Sequence, residues 1–337
     1  MNKNWIKIAS VYIGTVIGAG FASGREIVEF FAVYGAKGII GIIISGILFS
    51  AVGSMLLLKV YKYKIKNLNE LVMKLFGDRF SLILDTIIGF SLYTGYSVML
   101  SGSGAIFKEE LGLSFNIGII TMVIFTFIVF LFKLEGLSVV NTVLVPILIV
   151  GILFTSIYLN IREGFNFSNV EGVALTRKGN FITSSLLYFG SNSLIIIIVF
   201  SSFLPLLKDK KTAILGGATG GAILFLLGIS ILISMLVYYN EVIFLEVPML
   251  KICGNISNGY RKVYAVILWI AIFTTAIANG FGFMNRVSEH KNKLLYTVLF
   301  CISAIPLAKF GFANLVGIIY PISGLIGFVL MVLILIY

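Results

Sequence analysis

Long apolar runs, parted by short charged segments, dominate the chain from end to end. A helix that crosses the hydrocarbon core of a bilayer needs about 20 mainly apolar residues. By that measure ten spans are expected, near 6–33, 37–59, 80–106, 115–132, 138–159, 181–207, 212–239, 260–284, 293–308 and 311–336. The runs are too long for outer-membrane strands, which alternate over about ten residues. Two of them contain interruptions. The first holds Gly14, Gly18, Gly20 and Gly24, and then meets Arg25, Glu26 and Glu29 where a simple spanning helix would stay apolar. The sixth holds the polar stretch Gly190, Ser191, Asn192 and Ser193.

The fold class expected is therefore an all-α polytopic membrane protein. The longest connection, 161–180, divides the spans into residues 1–160 and residues 181–337, with five in each. An odd number of spans per half makes the second half enter the membrane from the opposite side. Two such halves can be related by an axis in the membrane plane, as in many secondary transporters. The interruptions in the first and sixth spans then occupy matching places, and both helices are expected to be broken.

Composition agrees with a membrane environment: 59% of the 337 residues are hydrophobic and 12% charged, against about a quarter charged in soluble domains. The formal charge of +11 is no sign of nucleic acid, because the basic residues lie in the segments between spans. With the N-terminus inside, the cytoplasmic side collects fifteen of the 25 Lys and Arg residues, so both termini are expected in the cytoplasm of a bacterial cell. The first run is too long and too broken for a removable signal peptide. Cys253 and Cys301 lie far apart and point to neither a metal site nor a disulfide. His290 falls in a charged connection and is expected at the surface. The basic segment 61–80 can lie on an anionic leaflet or serve as a plain connection. No paired carboxylates, nucleophile elbow or histidine cluster stands in the spans, so an enzyme is not expected. Neither are an organic cofactor and an obligate protein partner; membrane lipid and a small organic solute are.

Glycine tolerates irregular dihedrals, and an unwound helix is affordable in a bilayer only where protein or a watery cavity surrounds it. Residues 18–20 are thus either such a site or a face for close helix packing. Freed amides there can hold an anionic group and freed carbonyls a cation. Tyr188 and Phe189 flank the sixth-span interruption. Arg25 and Glu29, four residues apart, can meet across one helical turn, as a structural pair or as solute contacts. Thr274 and Thr275 offer adjacent hydroxyls, although threonine can satisfy its hydroxyl on its own helix.

The stretches "VIGAGFASGREIVEFF" and "FTTAIANGFG" resemble the YkvI-like bacterial membrane proteins. These in turn resemble the amino acid–polyamine–organocation superfamily, with the fold of the bacterial leucine transporter. The resemblance spans all ten predicted helices. It implies a sodium site of Gly14, Ile17, Ala271, Thr274 and Thr275. It also implies a substrate site around Gly18, Ala19 and Gly20, facing Phe189, Gly190, Ser191 and Asn192, with Tyr93 and Tyr96 as side walls. Phe21 stands where two-sodium members have asparagine, which argues against a second sodium. The fifth span lacks the lysine of several proton-coupled members, which favours sodium over protons. The function implied is sodium-coupled symport of a small organic solute such as an amino acid. Proton-coupled transport and ligand sensing without transport are the alternatives.

Overall fold

A computed structural model of the chain describes residues 4–132, 137–164, 179–287 and 293–336. Among them the regular structure is helical. Much of the 161–180 connection and His290 lie outside the described residues.

The first predicted span is three helices in succession: α1 (Asn4–Val16), α2 (Ala19–Ser23) and α3 (Arg25–Phe30). After a 3-10 turn come α4 (Lys37–Tyr63), the short α5 (Leu68–Phe76), α6 (Asp78–Leu111), α7 (Phe115–Phe132) and α8 (Leu137–Glu163). The second half contains α9 (Phe181–Ser201), α10 (Lys210–Val237), the short α11 (Tyr239–Val242) and α12 (Pro248–Gly254), α13 (Asn258–Val287), α14 (Lys293–Ala308) and α15 (Phe312–Ile336). Among the described residues seven helices are long and apolar enough to cross a membrane, and Phe115–Leu131 and Leu294–Ala308 are shorter apolar helices. Large apolar side chains cover the outside: Ile47 is 61%, Val150 66% and Leu325 60% exposed. Water would oppose such a surface, and lipid accepts it.

Several helix starts follow from capping. The side chain of Asn67 accepts from the Glu70 amide (2.8 Å), Asn180 from Thr183 (2.8 Å) and Asp209 from Thr212 (2.6 Å). Each satisfies an amide that the first helical turn leaves bare. The Thr212 bonds hold the Asp209 carboxyl below its ordinary range. A depressed folded-state pKa means that this contribution is complete near neutrality and is lost as pH falls through that value. Asp209→Ala should therefore lower the melting temperature at pH 7, with the gap from the unmodified protein closing as pH approaches the folded carboxyl's titration. An equal gap at all pH values would exclude the cap as its cause.

Close packing rests on small residues. A Cβ on Gly220 would meet the ring of Tyr12, and one on Gly217 or Gly221 would strike the α4 backbone at Ser54 or Ser50. Tyr12 is fully buried, and its hydroxyl donates to the Phe49 carbonyl (2.9 Å). Helices α1, α4 and α10 thus approach more closely than larger residues would permit.

The sixth span departs from expectation. Helix α9 runs unbroken through Gly190–Ser193. The polar side chains bond back onto their own helix: Ser191 Oγ to the Tyr188 carbonyl (2.8 Å), Asn192 Nδ2 to the same carbonyl (3.1 Å) and Ser193 Oγ to that of Phe189 (2.9 Å). This is how polar residues are housed in an apolar helix without breaking it. Gly190 serves contact instead. A Cβ there would run into the Gly324 carbonyl of α15, and one on Gly327 into the Gly190 carbonyl. The glycines mark a tight crossing of α9 and α15.

Candidate functional site

The break in the first span is real and lies at Ile17–Gly18. Ile17 N donates to Ile13 O (2.8 Å) as the last α-helical bond, and Gly18 N turns to Val16 O (2.8 Å). Gly18 is extended, with φ −91° and ψ −176°. Helix ends leave amides and carbonyls without intrahelical partners. Here the carbonyls of Gly14, Thr15 and Ile17 lack a backbone donor among the described residues, and the Ala19, Gly20 and Phe21 amides open α2. Protein encloses the break: Ile17 is 4% and Ala19 1% exposed. Gly14, Thr15 and Gly18 are half-buried, and a bilayer tolerates bare peptide groups only where protein or water receives them.

A second discontinuity follows at once. Gly24 adopts φ +80°, a left-handed conformation that separates α2 from α3. A side chain there would be strained, and its Cβ would also meet Met235 and Met249. Local bonds hold α2 in place. Ser23 Oγ donates to Gly20 O (2.7 Å) and accepts from Arg25 N (3.2 Å), while the Tyr264 hydroxyl of α13 donates to Ala22 O (2.7 Å).

Beyond Gly24 the polar residues divide their tasks. Arg25 and Glu29 form a buried pair (2.8 Å), and Arg25 also donates to the carbonyls of Ile243 (2.9 Å) and Leu245 (3.0 Å). The segment after α11 is further held by Glu109, which accepts from the amides of Glu246 (2.7 Å) and Val247 (3.1 Å). Glu246 in turn accepts from Ala313 N (2.7 Å), and Arg261 pairs with Glu110. This network ties α3, α6, α13 and α15 to the connection between α10 and α13. Glu26 takes no part in it. Its carboxyl group folds back over Gly20, where a Cβ in place of the α-hydrogen would strike Oε1.

The predicted site residues are not all gathered at the break. Gly18, Ala19 and Gly20 form it. From α9, Tyr188 packs its ring against Phe30 (5.4 Å), Phe31 (4.9 Å) and Phe49 (5.8 Å), and Phe189 packs against Phe49 (5.2 Å). Gly190 faces α15, while Ser191 and Asn192 are half-buried and bonded to their own helix. Tyr93 and Tyr96 look elsewhere. Tyr93 Oη donates to the Ser303 carbonyl (2.8 Å), and Tyr96 Oη bonds Thr126 (2.8 Å) and Cys301 (3.6 Å). Their rings join Phe300 of α14. Both take part in the packing of α6 against its neighbours α7 and α14.

Of the expected cation ligands, Gly14 sits beside Val145 of α8, 3.6 Å from where its Cβ would be. Thr274 and Thr275 both donate to the Ala271 carbonyl (3.0 and 2.8 Å). Helix α13, which carries them, packs against α2. A groove of about 460 Å³ between α4 and α10, lined by Ile43, Ile47, Ala51 and Phe225 among others, contains none of these residues, and its apolar lining suits lipid. The return of Glu26 over Gly20 is a feature that sequence patterning did not give. Gly24 was the available signal for Glu26, since a left-handed residue redirects the chain, but the direction is not written in it.

No family model matches the chain. It is 30% identical over 324 residues to the uncharacterised membrane protein YkvI of Bacillus subtilis, covering 94% of this chain and 91% of that one. It is 25% identical over 328 residues to the uncharacterised protein YyaD of the same organism, covering 96% and 94%. Among solved structures, it resembles the inward-facing conformation of Mhp1, with TM-score 0.59 and 12% identity over 95% of this chain and 72% of that one. It also resembles a mutant of the Eremococcus coleocola manganese transporter, with TM-score 0.65 and 13% identity over 98% and 79%. At such identities the likeness is one of fold.

Proposed function

The chain belongs to the YkvI family of bacterial membrane proteins, and from that premise we propose that it is a secondary active transporter of a small organic solute. The observation that carries this reading is the protein-enclosed break at Ile17–Gly18, in a fold it shares with a manganese transporter. Discontinuous helices near the bilayer midplane are the usual solute and ion sites of such proteins.

The arrangement proposed is ten spans in two inverted halves, 1–160 and 181–337, joined by 161–180, with both termini cytoplasmic. Helix pairing supports it. Helix α4 packs on α9 as α1 packs on α10; α6 packs on α15 as α13 packs on α8; α6 packs on α14 as α13 packs on α7. Each pair becomes its counterpart when the halves are exchanged.

Coupling is assigned to sodium. The carbonyls of Gly14, Ile17 and Ala271 and the hydroxyls of Thr274 and Thr275 are the proposed ligands. Sodium would bridge the first span and α13, and solute would bind against Gly18–Gly20 and the α9 face of Tyr188 and Phe189. Affinity that differs between outward-open and inward-open states then links ion to solute, and the linkage is reciprocal. Manganese is not carried over from the neighbouring fold, since no group of three His, Cys, Asp or Glu side chains gathers among the described residues.

Uptake into proteoliposomes under separate sodium, potassium and proton gradients tests the reading. A sodium gradient should drive accumulation, and Thr274→Ala with Thr275→Ala should abolish the sodium dependence. Sodium-driven uptake unchanged in the double variant would remove the ion site. Binding without accumulation under any gradient would replace transport with sensing.

A further inference from the structure

Glu26 is 5% exposed, yet among the described residues no basic side chain pairs with it. Arg25, its neighbour in sequence, is directed to Glu29 and to the carbonyls of Ile243 and Leu245. An ionised carboxylate buried in a membrane protein is costly unless a cation or a water-filled cavity receives it, and such groups mark ion and substrate paths.

Its surroundings narrow the role. The Glu26 carboxyl lies on Gly20, 2.9 Å from Cδ to the position of a Gly20 Cβ. Gly20 lies in the first turn of α2, just after the first-span break. Helix α3, which carries Glu26, packs against both α9 and α15. A carboxylate-bearing solute placed against the α2 amides would bring a second negative charge to this spot. A cation would instead meet a carboxylate, which attracts ammonium groups.

We infer that Glu26 is the recognition group for an ammonium-bearing organic solute, which binds at the first-span break with its cationic end on the Glu26 carboxylate. The inference deepens the transporter reading, on whose proposed solute site it rests, and reverses the polarity expected from free amides alone. An amino acid would enter ammonium end first, and a simple amine would bind without needing a carboxylate.

Binding to the purified full-length protein in detergent tests this apart from transport. Three probes share one carbon skeleton: 3-methylbutylamine, leucine and 4-methylpentanoate. The amine should raise the melting temperature and give a measurable dissociation constant, and 4-methylpentanoate should do neither. Glu26→Gln keeps the shape and removes the charge; it should weaken amine binding by roughly tenfold or more. Gly20→Ala keeps the charge but displaces the carboxylate, and should weaken binding in the same direction if Glu26→Gln fails to fold. Stabilisation by 4-methylpentanoate without the amine overturns the inference. So does an absence of any amine effect, or amine binding unchanged in Glu26→Gln. An amine that binds with this specificity but is never accumulated in proteoliposomes overturns transport alone and leaves the recognition group standing.

Discussion

Arg25→Ala should destabilise the folded protein by about 3–5 kcal/mol, the usual cost of stranding one charge of a buried pair. Arg25 and Glu29 side chains are only 8% and 11% exposed, and their 2.8 Å contact is the innermost part of a larger clasp. The same guanidinium holds the carbonyls of Ile243 and Leu245. The variant therefore loses a charge partner and two bonds that tie the first span to the connection between α10 and α13. Thermal unfolding followed by size exclusion should show an early loss of monodisperse protein, and amides of 243–247 should exchange faster. Arg25→Ala combined with Glu29→Gln should recover part of the stability, because no carboxylate charge has then lost its guanidinium partner. A single variant as stable as the parent would show that the clasp contributes nothing.

Gly190→Ala should destabilise by about 1–3 kcal/mol through overpacking, and Gly324→Ala should do the same. The obstacle in each case is backbone. The new Cβ on residue 190 meets the carbonyl of Gly324, and that on residue 324 meets the carbonyl of Leu187. Backbone of two packed helices cannot swing aside as the end of a flexible side chain can. The two changes together should be no better than either alone, since each adds bulk to one crossing. Melting temperature in a fixed detergent is the readout. If residues 190–193 were an unwound site, Gly190→Ala would instead spare stability and alter ligand binding.

That contrast shows where sequence patterning stops. The glycines of "GAG" and of "GSNS" look alike as interruptions of an apolar run. Gly18 does end a helix, where α1 gives way to an extended residue. Gly190 sits inside one, pressed against α15. Nothing local separates them: glycine permits both an unusual dihedral and a close approach, and only the neighbouring helix decides which is used. Tyr93 and Tyr96 show a related limit of the pattern. Their position in the third predicted span was legible, but the face they present depends on how α6 is rotated against α7 and α14.

What the sequence determined by itself was set by short-range forces. Hydropathy placed the apolar helices nearly to their ends, asparagine and aspartate marked several starts, and the i,i+4 spacing of Arg25 and Glu29 allowed their contact. What only the tertiary structure decided was which groups from distant segments meet. The uninterrupted course of α9, the clasp on residues 243–247 and the return of Glu26 over Gly20 all belong here. Burial and secondary structure follow from each residue's own preferences for lipid, water and dihedral angle. Contact between remote helices follows from how whole surfaces fit, and that information is distributed over the chain rather than carried by any one stretch of it.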